Sequence, residues 1–326
     1  MPETTYIKAL NQALAEEMRR DPSIYVLGED VAEGGPYGAT RDLAGEFGVG
    51  RVRNTPISEG TITGVTVGMA LVGLRPVLEI MFVDFITLAL DQIVNQAAKT
   101  HYMSGGQLRV PLVIRTQGGA GLRYGAQHSQ SLETWMLHIP GLKVVMPASA
   151  LDAAGLLKAA IRDDNPVIVV ENKALYSRRE SVPDSLEPIP LGRAIIRRPG
   201  SHLTIVATSR MVGEVLAAAD QLADEGIEAE VIDPRTLFPL DLDTIVASLA
   251  RTHHLLVAHE AVGPLGIGAE LIARVQEAAF DQLDAPMARV TAPFSPVPVS
   301  ARLEDAYRPS KENIVVAAHK VLQGLS

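Results

Sequence analysis

The chain has 326 residues, which is enough for about two domains of ordinary size. Apolar residues make up 47% of it and charged residues 21%, so the chain can bury a sizeable core and global disorder is excluded. With 29 Lys and Arg against 38 Asp and Glu, the formal net charge is −9, which disfavours binding to nucleic acid through phosphate contacts.

The sequence contains no cysteine, which excludes disulfides, thiolate metal sites and a cysteine nucleophile. The N-terminal segment MPETTYIKALNQ lacks the basic and apolar regions of a secretory signal. The uncharged stretch 60–74 is too short to span a bilayer. We therefore expect a cytoplasmic protein that associates with neither membrane nor nucleic acid.

The first part of the chain predicts a helix followed by alternating strands and helices. Ile7, Leu10, Leu14 and Met18 are spaced by three or four residues, as on one face of an amphipathic helix. Short, nearly continuous apolar runs are typical of strands in a parallel sheet that helices cover on both faces. These runs are 24–27, 77–82, 112–115, 144–146 and 167–170, and helical patterns occupy 60–74, 85–102 and 150–162.

The pattern is interrupted between Leu175 and Ser201, where proline and charged residues predict a connection between domains. It then resumes with strands at 203–207, 229–232, 255–258 and near Val290, separated by helices. The predicted fold class is therefore α/β, with two doubly wound parallel-sheet domains. We place the domains at 1–178 and 201–326 and the linker at 179–200.

Two features lie at the start of the predicted helix 60–74. Gly60, Gly64 and Gly68 form a row of small residues, which suits close packing either within the subunit or against another subunit. Glu59 follows Ser58, so the pair could cap the helix and place a carboxylate at its positive end. Alternatively, Glu59 is held among apolar groups such as Ile57 and Val65 and shares a proton.

Other motifs exclude several kinds of site. The glycine-rich segment 118–121 lacks the Gly-Lys-Ser/Thr ending of a phosphate-binding P-loop, and the glycines of 263–268 do not fit a dinucleotide fingerprint. His253, His254 and His259 lack metal-ligand spacing and are interpreted as core or rim residues. His128 lies on irregular backbone after a strand, where it either forms a structural hydrogen bond or transfers protons.

Seven stretches together resemble one family, the β-subunit of the thiamine-diphosphate-dependent first component of 2-oxo acid dehydrogenase complexes. They occur in order over nearly the whole chain: TPISEG at 55–60, EIMFVDF at 79–85, DQIVNQAAKTHYMSGG at 91–106, AQHSQ at 126–130, IPGLKVV at 139–145, RDDNPV at 162–167 and DPRTLFPLD at 233–241.

The resemblance implies a thiamine-diphosphate pyrimidine-binding domain followed by a transketolase C-terminal domain. The cofactor would be shared with an α-subunit, in a heterotetramer of two α- and two β-subunits. That α-subunit would hold magnesium and the diphosphate through a Gly-Asp-Gly motif, which is absent here. A dihydrolipoyl transacylase core would be a further partner, through its peripheral-subunit-binding and lipoyl domains.

The resemblance also assigns roles to individual residues. Glu59 matches the carboxylate that bonds to the pyrimidine nitrogen, and Ile57, Met81 and Phe85 match cofactor-contacting positions. His128 matches the histidine that exchanges a proton during reductive acylation of lipoamide. A potassium site is implied in addition, at the backbone carbonyls near Leu112, Ala160, Ile161 and Asp163, with Asn165; its alternative is an ordinary helix end before Pro166.

The expected activity is oxidative decarboxylation of the pyruvate dehydrogenase type with acyl transfer to lipoamide. Cleavage of acetoin and decarboxylation of branched-chain 2-oxo acids are alternatives, as is a non-enzymatic docking subunit. A single-chain transketolase or deoxyxylulose-phosphate synthase is disfavoured because the 326 residues contain no diphosphate-magnesium domain. Arg123 and Tyr124 stand where many relatives carry small residues, which predicts a different entrance near His128.

Overall fold

The computed structural model describes residues 3–183 and 185–325. They form two compact units: unit 1 consists of Met1–Gly118 and Trp135–Leu191, and unit 2 of Gly119–Thr134 and Gly192–Ser326. Each unit is built from parallel strands and helices, so the α/β fold class predicted from the sequence is confirmed. The segment 119–134, which the sequence places inside the first domain, groups with unit 2 instead.

Unit 1 contains a parallel sheet with the strand order β6-β7-β5-β4-β2-β3. A separate antiparallel pair joins β1 to β8. The strands are β1 (Glu3–Thr5), β2 (Ile24–Gly28), β3 (Val52–Asn54), β4 (Arg75–Ile80), β5 (Val113–Gly118), β6 (Lys143–Val145), β7 (Val167–Asn172) and β8 (Arg179–Ser181). The α-helices are α1 (Tyr6–Arg20), α2 (Leu43–Phe47), α3 (Glu59–Leu71), α4 (Ala98–Met103), α5 (Glu133–Leu137), which straddles the boundary between the units, and α6 (Ala150–Arg162).

The core of unit 1 forms where α1 and α6 pack together over the sheet. The apolar face of α1 buries Leu10 and Leu14 completely, which explains the spacing seen in the sequence. The Ser149 side chain caps α6 by accepting a hydrogen bond from the backbone N–H of Asp152. Burying two leucines of this size contributes about 2–3 kcal/mol each.

Unit 2 contains a five-stranded sheet in the order β14-β13-β10-β11-β9. Its strands are β9 (Ile195–Arg198), β10 (Leu203–Ala207), β11 (Ala229–Asp233), β13 (Leu255–Val262) and β14 (Ala288–Ala292), and a short strand, β12 (Thr236–Phe238), also belongs to the unit. Its helices are α7 (Met211–Asp224), α8 (Leu242–Thr252), α9 (Ile267–Ala279), α10 (Ala301–Tyr307) and α11 (Lys311–Leu322). The range 179–200, predicted as a linker, contains β8 and β9, and β9 forms the antiparallel edge of this sheet.

One predicted helix of unit 1 has an irregular start. The range 85–102 lies in a continuous helical segment that is 3₁₀ over Val83–Ala89 and π over Gln92–Ala97 before α4 begins.

The glycine row of α3 packs against this segment. A Cβ atom at Gly60 would lie 3.1 Å from the carbonyl oxygen of Leu88, and one at Gly64 would lie 3.2 Å from the Gln92 side chain. Gly68 has open space around its Cα within this chain. The first two glycines of the row therefore serve packing within unit 1.

Across 3–183 and 185–325, every helix is too short or too polar to cross a bilayer.

Candidate active site

Glu59 is the first residue of α3, and only 6% of it is exposed. Ser58, at the N-cap, directs its hydroxyl to Thr61 Oγ1 at 2.8 Å and caps no backbone N–H. Within the described ranges, no donor of this chain hydrogen-bonds to the Glu59 carboxylate. Such buried carboxylates are usually paired, so this group is suited to a partner from outside the chain.

A second carboxyl group, Glu29, follows β2 and interacts with Glu59. Burial raises the pKa of Glu29 above its ordinary value, and the charge of Glu59 raises it further. The raised pKa makes the Glu29 carboxyl group a weaker acid at the entrance to α3. The sequence analysis did not identify Glu29.

The predicted cofactor-contacting residues of unit 1 differ in exposure. Ile57 is 80% exposed and Val65 is 52% exposed, so these two side chains do not enclose Glu59 as the sequence prediction proposed. Met81 follows β4 and is half-buried. Phe85 is also half-buried and packs edge-on against Phe82, with ring centroids 5.5 Å apart. The start of α3 lies against the 3₁₀ segment that carries Phe85, as the contact at Gly60 shows.

In unit 2, the irregular segment 119–132 is fixed by two buried carboxylates. The backbone N–H of Ala120 donates to Glu260 Oε1 at 2.6 Å. The N–H groups of Gly121 and Arg123 donate to Glu304 Oε1 and Oε2 at 2.8 and 3.2 Å. Glu304 is completely buried. These bonds account for the grouping of 119–134 with unit 2.

His128 lies half-buried on this loop, and its backbone N–H approaches the carbonyl oxygen of Gly125 at 3.5 Å. The Arg123 guanidinium, which was expected to alter an entrance nearby, forms ion pairs with Glu304 and Asp305 instead. Arg123 therefore helps to hold the backbone that carries His128. Tyr124 is partly exposed.

Glu133 ends this segment as the first residue of α5. It is almost entirely buried, and burial raises its pKa to about 7, with a further contribution from the charge of Glu260. Its Oε2 atom finds no hydrogen-bond donor among the described residues. A cavity of about 340 Å³ lies in the same unit, lined by the segment 130–132 and by Phe294, Val297 and Tyr307 among others.

The groups predicted to bind potassium lie together in unit 1, at the end of α6. Two of their carbonyl oxygens accept hydrogen bonds from Arg75: that of Ile161 at 2.8 Å and that of Asp163 at 2.6 Å. The Leu112 and Ala160 carbonyls accept from backbone N–H groups. The site residues are therefore adjacent, but donors of this chain already contact their oxygens.

Comparison with known proteins identifies the family. Residues 3–179 match the transketolase pyrimidine-binding domain, and residues 192–314 match the transketolase C-terminal domain. The chain is 47% identical to the pyruvate dehydrogenase E1 component subunit beta of Rickettsia felis, over 97% of this chain and 98% of that one. It belongs to the β-subunit family of 2-oxo acid dehydrogenase first components.

Two further relatives are named as subunits of two different enzymes. The beta subunit of the acetoin:2,6-dichlorophenolindophenol oxidoreductase of Bacillus subtilis is 45% identical over 96% of both chains. The mitochondrial pyruvate dehydrogenase E1 component subunit beta of Bos taurus is 46% identical over 98% of this chain and 91% of that one. The resemblance predicted from the sequence motifs is confirmed.

A solved structure shows the same fold. A split-gene transketolase, described as an inactive β4 tetramer, matches with a TM-score of 0.81 and 26% identity over 98% of this chain and 99% of that chain. This likeness confirms the transketolase-like architecture of the β-subunit.

Sequence reasoning missed the two carboxylates that hold the His128 loop. Glu304 lies 183 residues from Gly121, on a short helix that was not predicted, and Glu260 ends the apolar run of β13. The available signal for Glu260 was its position just after the predicted strand 255–258, at an edge where α/β sheets place functional groups. Nothing in the local pattern pointed to Glu304.

Proposed function

We propose that this chain is the β-subunit of a pyruvate-dehydrogenase-type first component, which acts with an α-subunit and thiamine diphosphate. The assembly would decarboxylate a 2-oxo acid oxidatively and pass the acyl group to lipoamide. The observation that carries the proposal is Glu59: the residue is only 6% exposed, no donor within the described ranges hydrogen-bonds to its carboxylate, and it matches the position that the family resemblance assigns to the cofactor. A buried group of this kind calls for a partner.

Glu59 would hold a proton and donate it in a hydrogen bond to the pyrimidine ring nitrogen. Phe85 and Met81, both half-buried, would provide apolar surface for the ring. When bound, thiamine diphosphate would supply a nucleophilic carbon for the substrate carbonyl and a cationic ring that acts as the electron sink for decarboxylation.

His128 would move a proton on the lipoamide side of the reaction. Backbone N–H groups of the loop that carries His128 donate hydrogen bonds to Glu260 and Glu304. These bonds restrict the loop and would therefore hold the imidazole in a defined position. An acid–base group of this type contributes about 10²–10⁴-fold to a rate.

The proposal assigns magnesium and the diphosphate to the α-subunit, because the present sequence has no Gly-Asp-Gly motif. It also places the chain in a heterotetramer of two α- and two β-subunits, bound to a dihydrolipoyl transacylase core in the cytoplasm. Acetoin is a second candidate substrate, supported by the 45% identity to the Bacillus subtilis subunit over 96% of the chain.

The test is to co-purify the chain with its α-subunit and compare the wild type with Glu59→Gln. Because glutamine cannot supply the acidic proton, we expect turnover to fall by about 10²–10⁴-fold, with assembly and thermal stability retained. Glu46→Gln is the matched control, since Glu46 pairs with Arg19 at the surface. Undiminished turnover in Glu59→Gln would disprove the assigned role. Assays with pyruvate, a branched-chain 2-oxo acid and acetoin then decide the substrate.

His128→Gln separates the catalytic proposal from a purely structural docking role. We expect decarboxylation measured with an artificial electron acceptor to continue, while acyl transfer to lipoamide falls. If the variant instead lost binding to the transacylase core and kept both reactions, the docking role would be favoured.

A further inference from the structure

The C-terminal end of α6 presents backbone carbonyls that require a partner. The last four carbonyls of a helix lack an intrahelical donor, and the helix dipole makes this end attractive to cations. Helix α6 ends at Arg162, and its last turn includes Ile161. A cation or a hydrogen-bond donor therefore has to contact these carbonyl oxygens.

Arg75, the first residue of β4, supplies the donors. Its Nε donates to the Ile161 carbonyl at 2.8 Å and its Nη2 to the Asp163 carbonyl at 2.6 Å. Its Nη1 donates to the Asp164 carboxylate at 3.2 Å. The guanidinium uses all three of its nitrogens, in the fixed planar arrangement that a lysine ammonium cannot reproduce.

Two further carbonyls predicted to bind potassium also accept hydrogen bonds. The Ala160 carbonyl accepts from the N–H of Asp163 at 3.2 Å, and the Leu112 carbonyl accepts from the N–H of Val167 at 2.9 Å. Asn165 donates its side-chain amide to Asp163 Oδ1 at 2.9 Å. Four carbonyls of the predicted ligand set, those of Leu112, Ala160, Ile161 and Asp163, thus accept hydrogen bonds from donors of this chain.

The local charge also opposes a further cation. Lys143 pairs with Asp163, and Arg109 pairs with Asp164. With Arg75, three cationic side chains face two carboxylates, a local sum of 3 − 2 = +1. A potassium ion would raise this to +2 beside a guanidinium that is only 19% exposed and therefore weakly screened.

We infer that the Arg75 guanidinium takes the place of a bound monovalent cation in this chain, which therefore folds and functions independently of potassium. The donor set does not fit the potassium site that the family resemblance implies. The cation that contacts the carbonyls at the end of α6 is thus a side chain of β4, the Arg75 guanidinium.

The first test measures thermal unfolding of the intact wild-type chain, with its α-subunit where they co-purify, in potassium chloride and in sodium chloride at equal ionic strength. We expect the same melting temperature in both salts. Crystals grown in rubidium chloride should show no anomalous density at the Ile161 and Asp163 carbonyls. A melting temperature raised specifically by potassium, together with such density, would overturn the inference.

The second test removes the guanidinium. Arg75→Met leaves the carbonyls without a cation, so we expect a lower melting temperature that potassium restores better than sodium does. Arg109→Met is the control, because Arg109 contacts Asp164 and none of the carbonyls, and it should give no potassium-specific response. An Arg75→Met protein equally destabilised in both salts would contradict the exchange of cations. Should that variant fail to fold, the rubidium experiment on the wild type decides alone.

Discussion

The support of the His128 loop by Glu304 leads to a quantitative prediction. Glu304 accepts hydrogen bonds from the N–H of Gly121 and from both the N–H and the guanidinium of Arg123. In Glu304→Gln, one oxygen remains to accept from Gly121. The other becomes an amide nitrogen, which faces the donors of Arg123 and cannot accept from them.

The loss can be estimated from these contacts. A hydrogen bond to a charged group contributes about 1.5–3 kcal/mol, so replacing the 3.2 Å bond from the Arg123 N–H to Oε2 by a contact between two donors costs about that amount, with only the longer 3.3 Å contact to Oε1 left. The Arg123 guanidinium is 37% exposed, so its ion pair adds at most about 1 kcal/mol. The loop should therefore lose about 2–4 kcal/mol of local stability, which corresponds to about a 30- to 700-fold change in an opening equilibrium.

Native-state hydrogen exchange of the segment 119–134 measures this opening directly. We expect the protection of the Gly121 and Arg123 amides to fall by that factor, and the rate of lipoamide acylation to fall with it, because His128 loses its support. Asp305→Asn is the matched control: Asp305 is 56% exposed and contacts only the guanidinium, so its effect should stay below about 1 kcal/mol. Unchanged protection in Glu304→Gln would refute the reasoning.

Two further predictions concern stability. Burial raises the pKa of Glu133 to about 7 from 4.5, so the native state keeps a proton that the unfolded state releases, and stability should fall by about 3 kcal/mol as pH rises from 4.5 to 7. Glu133→Gln should remove this decline in urea titrations at several pH values; a decline that persists would show that another group causes it. Gly141→Ala should cost more than about 3 kcal/mol, because φ is +104° and the added Cβ would lie 2.0 Å from the Ala98 carbonyl oxygen. Gly73→Ala, with φ +94° and open space, should cost only about 1–2 kcal/mol, and equal losses of unfolding free energy in the two variants would contradict the steric argument.

Several elements of the fold follow directly from local sequence. The helix α6 begins at Ala150 and ends at Arg162 as predicted, because a capping serine and an apolar face are both encoded within one short segment. The strand β10 likewise covers the predicted range 203–207. By contrast, β9 lies in the predicted linker, because this partly exposed edge strand, with the sequence IIRR, has no continuous apolar run.

The sequence by itself determined the family and the position of Glu59 at a helix start, since the relevant motifs are short and contiguous. Only the tertiary structure decided that Glu304 holds the loop around Arg123, across 181 residues of sequence, and that Arg75 completes the end of α6. The physical reason is that periodicity and capping depend on neighbouring residues, whereas the partner of a buried carboxylate or an orphan carbonyl depends on which distant side chain the fold brings within hydrogen-bonding distance.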